Sequence, residues 1–370
     1  MAYKVPFVNF PEHYKTIKEE ILKAMDEVLS RGDLILRKDV EEFERKFADF
    51  IGSKYAVGLN SGTDTMFLPL KALGIGPGDE VITVSHTFVA SIAVIVQTGA
   101  KPVLVDVKED FTIDVDQIEK VITPKTRAII PVHFNGRVCE MDKLMEIAQK
   151  HKLFVIEDAA QAFGSKYKNK MAGSFGLAGS FSLYPFKVLG CFGDGGIVTT
   201  SDESLAEKIR LLRDHGQKTK TEIVCFGWNS RLDNLQAAIL NVKFKYASAW
   251  IERRREIASI YDKALIGVKK IKLPPAPDSD KDHFDNFQNY VLKAERRDEL
   301  AAFLKEKGVE TLIKDPIANH KQQGLGLSYF ILPYTERLAE QVISLPMYPE
   351  LTQEQIEYVI NCVKEFYKII

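Results

Sequence analysis

FSLYPFKVLGCFGDGGIVTT, residues 181–200, reads as a short apolar strand, a glycine-rich connection and a second apolar strand. Lys187 stands just beyond the first strand, among Phe186, Val188 and Leu189. That is an odd setting for a solvated charge. Desolvation lowers the pKa of an amine, as a lysine acting as an imine-forming nucleophile requires. Most lysines are surface groups, so the segment alone does not decide the matter.

Reading outward, five more β-rich runs precede these two strands, seven in all. They are YAVGL (55–59), VITV (81–84), PVLVDV (102–107), RAIIPVHF (127–134), LFVIED (153–158) and GSFSLY (179–184), with GGIVTT (195–200) closing the set. Most are continuous apolar runs, the pattern of strands buried on both faces. Helical stretches lie between several of them. In TDTMFLPLKALG, Met66, Leu70 and Leu73 share a face and Gly74 suits a C-cap. Such alternation predicts an α/β fold, a mostly parallel sheet of seven strands covered by helices.

Two further segments put polar groups at a sheet edge. Asn60-Ser61-Gly62-Thr63 joins a strand to a helix. Its small residues let backbone N–H groups and hydroxyls face an anion at a helix N-terminus, although a plain N-cap explains them equally well. Ile156-Glu157-Asp158-Ala159-Ala160-Gln161 ends an apolar strand. Ligands of open α/β sheets gather at such ends, and the competing reading of Asp158 is the N-cap of a following helix.

Past residue 200 the strands thin out. A helix capped by Ser201 is predicted over 202–214, and one long helix over 232–265, with Arg253-Arg254-Arg255 as a solvated face. PPAPDSDKD (274–282) reads as a loop. After it come a strand at 287–294, a helix at 296–307 and a closing helix opened by a Thr352/Gln355 capping box. The expected division is a large unit over 1–235 and a small α+β unit over 236–370.

Composition narrows the function. Fifty basic and 51 acidic side chains leave a formal charge of −1, which gives no electrostatic reason to expect nucleic acid or an anionic membrane as partner. No run approaches ~20 apolar residues, and the N-terminal MAYKVPFVNFPEHYK has no apolar signal core, so a cytoplasmic protein is expected. Cysteines 139, 191, 225 and 362 form no CxxC pair and the histidines no HxxxH pair. Buried thiols and no metal are the expectation.

Taken in order, an anion nest, a carboxylate and a lysine match the arrangement of fold-type I pyridoxal phosphate enzymes. The sequence resembles the DegT/DnrJ/EryC1/StrS family of sugar aminotransferases through nearly its whole length. The resemblance is carried by VEEFERKFADFIGSKYAV, LNSGTDTM, ALGIGPGDEVI, SHTFVAS, IEDAAQAFGSKY, FSLYPFKVLGCFGDGG, LLRDHG, GWNSRLDNLQAAIL and ISLPMYPELTQEQIEYVI. It implies that Lys187 is the catalytic Schiff-base lysine and that Asp158 pairs with the ring nitrogen of pyridoxal 5′-phosphate. Gln161 would bond the cofactor's phenolic oxygen, Gly62, Thr63 and Ser182 would hold its phosphate, and Phe88 would stack on its ring. Asn229 would reach the phosphate of a neighbouring copy, which makes a homodimer with shared sites the expected active unit. Tyr184 and His320 are candidate substrate contacts.

The implied reaction moves an amino group from L-glutamate to a nucleotide-linked keto sugar. The YPxKxLGxxGDGG pattern (184–196) resembles members acting at C-3 more than those acting at C-4, with a dTDP-3-keto-6-deoxyhexose as first choice. A UDP-linked 3-keto sugar, a 4-keto sugar or a keto-octulosonate follows. A sugar dehydratase of the same fold carries histidine where this chain has Lys187, and a non-catalytic binding protein would have no need of Lys187, Asp158 and Gln161 together. Family members often carry glycine near Arg37, so no backbone contact is carried over there.

Overall fold

The computed structural model describes residues 3–368. Helices α1 (Phe10–Arg31) and α2 (Lys38–Ile51) lead into β1 (Tyr55–Leu59), α3 (Gly62–Ala72), β2 (Glu80–Val84), α4 (Ala90–Thr98) and β3 (Lys101–Val105). Then come α5 (Val115–Val121), β4 (Thr126–Ile129), α6 (Met141–His151), β5 (Phe154–Asp158) and the hairpin β6 (Lys166–Tyr167) and β7 (Lys170–Met171). Strands β8 (Ala178–Ser182) and β9 (Gly196–Thr200) flank the lysine segment, and α7 (Glu203–Arg213) follows.

Seven of these strands form one sheet in the order β1-β9-β8-β5-β4-β2-β3. All neighbours are parallel except β9, which runs antiparallel to both β1 and β8. Each of the seven apolar runs is a strand of this sheet. Their two-sided burial is visible residue by residue. Ile82, Val155 and Ile197 face a core with Phe43 and Phe47 of α2 and Leu144 of α6. Their neighbours Val81, Ile156 and Val198 face the opposite core with Met66 of α3, Val94 of α4 and Ile209 of α7. Successive strand side chains point to opposite faces, so a strand covered by helices on both sides must be apolar throughout.

The chain continues through α8 (Asn234–Phe244), α9 (Ala247–Leu265), β10 (Ile271–Lys272), β11 (His283–Phe284), β12 (Tyr290–Ala294), α10 (Arg297–Glu306), α11 (Pro333–Gln341), β13 (Val342–Leu345) and α12 (Gln353–Phe366). Strands β10, β12 and β13 make a small antiparallel sheet. A separate core lies on it, built from Tyr261 of α9, Leu292, Ile343 and Val359 of α12. Val5 belongs to this second core, because its amide and carbonyl pair with Gly308 and Glu310.

Several local expectations are revised. The helix predicted over 232–265 is two helices, since Lys245 and Tyr246 tighten the turn with bonds to the carbonyls three residues back, Val242 and Lys243. The cap of α7 is Asp202, not Ser201: its carboxylate accepts the Leu205 amide at 2.8 Å. The strand expected at 287–294 begins only at Tyr290. Arg254 and Arg255 are buried rather than solvated. Arg254 Nη1 donates to the carbonyls of Phe287, Gln288 and Met347, and Arg255 donates to the Asp285 carbonyl and the Asp278 carboxylate. Of the four cysteines only Cys225 is exposed. The capping box at Thr352 and Gln355 is present.

Candidate active site

In the large sheet, β1, β2, β5 and β8 point the same way, and their C-terminal ends release Ser61, Ser85, Ala159 and Leu183 along one edge. A cavity of about 500 Å³ opens there and extends to β12 and the segment before α11. Crevices at strand C-termini are where open α/β sheets bind ligands. Gly62, Thr63, Phe88, Asp158, Gln161, Ser182, Tyr184 and Lys187 all line it.

Lys187 sits on the connection from β8 to β9. Gln288 holds that connection from both sides: its Oε1 accepts the Val188 amide at 3.0 Å and its Nε2 donates to the Phe186 carbonyl at 2.8 Å. The following turn needs Gly190, because a Cβ there would lie 2.5 Å from the Tyr184 carbonyl oxygen. Lys187 is half-buried and lines the cavity, with its amine set among protein groups. This desolvation lowers its pKa to about 7, with the positive Lys314 adding to the effect and Asp158 opposing it. The amine has no hydrogen-bond or ion-pair partner among the described residues, which leaves it available for chemistry.

Asp158 ends β5 and is 5% exposed. Its Oδ2 accepts the Ser91 hydroxyl at 2.7 Å, and its Oδ1 accepts the Ala160 amide at 3.2 Å. No helix follows, so the N-cap reading of Asp158 does not hold; residues 159–164 form tight turns. Beside it, Gln161 Oε1 accepts the Asn135 amide at 2.7 Å, which leaves its NH2 as the donor end. Beneath, Glu157 is fully saturated by the amides of Gly173, Phe175 and Gly176 and by His133 Nε2. The Cys139 amide donates to His133 Nδ1, so His133 is the neutral tautomer and a structural residue.

At the anion end, α3 opens with Ser61 as its N-cap, accepting the Asp64 amide. Gly62 packs so tightly on Ser182 that a Cβ would come within 2.6 Å of the serine Cβ. The helix N-terminus and the Ser182 hydroxyl therefore close into one small cradle. That cradle suits a phosphate, since free N–H groups and the helix dipole both favour an anion. Phe88 is 59% exposed and leans over the cavity.

Two candidates lie outside the lining. His320 is buried, with Nδ1 on the Ser85 hydroxyl at 2.7 Å and Nε2 on Glu336 at 3.1 Å. Both ring nitrogens are engaged within the fold, which leaves neither free for the expected substrate contact. Asn229 is exposed, and its carbonyl accepts from Asn60 Nδ2 at 3.4 Å. Sequence reasoning missed Ser91, Gln288 and Lys314. Ser91 was within reach, as it ends SHTFVAS near Phe88. Gln288 and Lys314 carry no local signal, because only the small sheet brings them to the cavity.

The arrangement pairs a neutralisable amine with a buried carboxylate and an anion cradle. Comparison with known proteins agrees with this geometry. Residues 15–364 match the DegT/DnrJ/EryC1/StrS aminotransferase family. The chain is 42% identical, over 98% of its length and 96% of the relative's, to dTDP-3-amino-3,4,6-trideoxy-alpha-D-glucose transaminase from Streptomyces venezuelae. It is 43% identical to a protein of Geobacillus stearothermophilus called pleiotropic regulatory protein, over 98% of this chain and 99% of that one. Among solved structures, S. venezuelae DesV in complex with a ketimine intermediate superposes with a TM-score of 0.96 at 40% identity, covering both chains fully.

Proposed function

The chain belongs to the DegT/DnrJ/EryC1/StrS aminotransferase family, and we propose that it moves an amino group from L-glutamate, through pyridoxal 5′-phosphate, to a nucleotide-linked keto sugar. One observation carries the reading: the unpaired amine of Lys187 shares a cavity with the buried Asp158 carboxylate and the Gly62–Ser182 cradle. These are the groups that such a cofactor requires, and nothing in the cavity opposes them.

When bound, the cofactor supplies an electron sink for the pair left on carbon after a proton departs. The protein does the rest. Lys187 Nζ would hold the cofactor covalently and, when free, would serve as the general base toward the donor's Cα proton. Its lowered pKa lets it act near neutrality. Asp158 would keep the ring nitrogen protonated, with Ser91 fixing that carboxylate in place. Gln161 would offer its NH2 to the phenolic oxygen. Gly62, Thr63 and Ser182 would hold the phosphate, Phe88 would cover the ring and Tyr184 would face the substrate.

The favoured acceptor is a dTDP-3-keto-6-deoxyhexose, an inference supported by the 42% identical Streptomyces transaminase and the GDGG sequence at 193–196. The active unit is a homodimer in which Asn229 reaches the neighbouring site. This reading is supported by the exposed apolar run beside it, where Ile223, Phe226 and Trp228 lie open to solvent. No helix among the described residues is long and apolar enough to cross a membrane, and a cytoplasmic enzyme fits that finding. The division at 235/236 is part of the same proposal, supported by the separate core on the small sheet.

Absorbance of the purified protein, before and after L-glutamate, tests the reading. A visible band near ~420 nm that gives way to one near ~330 nm is expected. Screening keto-sugar nucleotides for return of the first band then identifies the acceptor. A band indifferent to every amino donor would remove the aminotransferase assignment.

A further inference from the structure

Lys314 lines the same cavity but has no part in the chemistry described so far. It has no carboxylate within ion-pair distance among the described residues; its amine instead lies 4.5 Å from the centre of the Phe134 ring, itself part of the lining. Neighbouring Asp315 acts on it through space but forms no ion pair with it. Its own burial raises the carboxyl's pKa, and its Oδ2 is buried without any partner. Asp315 also holds a left-handed backbone, φ 53°, immediately before Pro316. Strain of this kind persists where surrounding structure enforces it, often at ligand sites. The outcome is a lysine that faces the cavity without an ion-pair partner among the described residues, its pKa lowered by burial.

Such a group calls for an anion, and the two substrates differ in where they can offer one. Lys314 stands over Phe134, and the amide of the neighbouring His133 donates to the Asp158 carbonyl at 2.9 Å, so Lys314 lies on the Asp158 side of the cavity and not at a distant mouth. An amino acid donor carries its α-carboxylate on the very carbon that reacts. A nucleotide-linked 3-keto sugar keeps its diphosphate several bonds from the ketone. From this we infer that Lys314 anchors the α-carboxylate of the amino donor, and so selects amino acids as donors in a site that must also admit an uncharged sugar ring.

The inference rests on the aminotransferase reading above. Its test uses Lys314→Met and Lys314→Arg in the full-length holoenzyme, with each half-reaction followed separately by absorbance. Cofactor content is measured in each variant, and the amine form is prepared directly with pyridoxamine phosphate. Lys314→Met is expected to raise the half-saturating L-glutamate concentration about thirtyfold or more, as loss of a desolvated charge partner does. Lys314→Arg retains part of the affinity. The pyridoxamine-loaded Lys314→Met protein should still react with the keto-sugar nucleotide within about threefold of the parent.

Unchanged glutamate saturation in Lys314→Met overturns the inference. A loss confined to the sugar half-reaction also overturns it and assigns the lysine to the diphosphate. Equal loss in both halves together with low cofactor content makes it a cofactor or folding residue instead. If the parent protein itself ignores glutamate, the aminotransferase reading fails first, and the inference falls with it.

Discussion

Gln288 grips the main chain on either side of Lys187, accepting from the Val188 amide at 3.0 Å and donating to the Phe186 carbonyl at 2.8 Å. The side chain comes from just before β12 of the small sheet, while Lys187 follows β8 of the large one. Asn286 Oδ1 in turn accepts the Gln288 amide at 2.8 Å. The position of Lys187 is therefore set by a residue remote in sequence. Gln288→Leu should leave two main-chain groups without partners and cost about 2–4 kcal/mol of stability. It should also slow the glutamate half-reaction while the cofactor still binds. Urea unfolding and stopped-flow absorbance on the same preparation would show both, and a normal half-reaction rate would refute the positioning role.

Asp158→Asn keeps the shape of the side chain but removes the charge proposed to hold the ring nitrogen protonated. The expected loss in turnover is about 10²–10³, with binding of the cofactor retained. Steady-state assay with the keto-sugar nucleotide measures it; turnover near the parent level would exclude the pairing.

The pH dependence follows from Lys187. Its pKa is lowered to about 7 by burial, so the protonated amine dominates below that point and the neutral nucleophile above it. Uptake of pyridoxal phosphate by the apoprotein should accelerate as pH rises through about 7 and then level off. Lys314→Met removes a neighbouring positive charge and should move that midpoint upward. A midpoint near the ordinary lysine value in the parent protein would contradict the buried setting.

Arg254 is an interior cation whose bonds all run from Nη1, while its Nε is buried without a partner among the described residues. Burial lowers its pKa to about 10, and its Nη1 ties α9 to the carbonyls of Phe287, Gln288 and Met347. Arg254→Ala leaves those carbonyls unmatched and should destabilise the protein by about 2–3 kcal/mol. Because Gln288 is among its partners, the lysine connection should loosen too. Thermal unfolding with and without cofactor checks this, and an unaltered midpoint would show the contacts to be dispensable.

For Asn229→Ala, the chain's own contacts predict little change in stability, since the side chain is exposed and only its carbonyl is bonded. If it reaches the phosphate of a neighbouring copy, affinity for pyridoxal phosphate should drop by about tenfold. Equilibrium titration of the apoprotein decides, with dimerisation followed by sedimentation.

The large sheet and the reactive trio were legible in one dimension, because their signals are local. A strand covered on both faces must be apolar throughout, so runs such as 153–158 and 195–200 announced themselves. Lys187, Asp158 and the Gly62–Ser182 cradle sit within a few residues of those strand ends, where topology brings them to one edge. The other features depend on distant pairings. The arginines at 254 and 255 look like a solvated run until three carbonyls from other segments close over Arg254. His320 resembles a site residue until Ser85 and Glu336 occupy both its nitrogens. Gln288 and Lys314 have no periodicity or motif to betray them, since their setting is supplied by the large sheet's edge, about a hundred residues earlier in the chain. Local pattern thus determined which strands form and where the chemistry gathers. Tertiary packing decided which charges stay solvated, which are saturated and which are left free for a ligand, because desolvation and hydrogen-bond pairing are properties of neighbours in space.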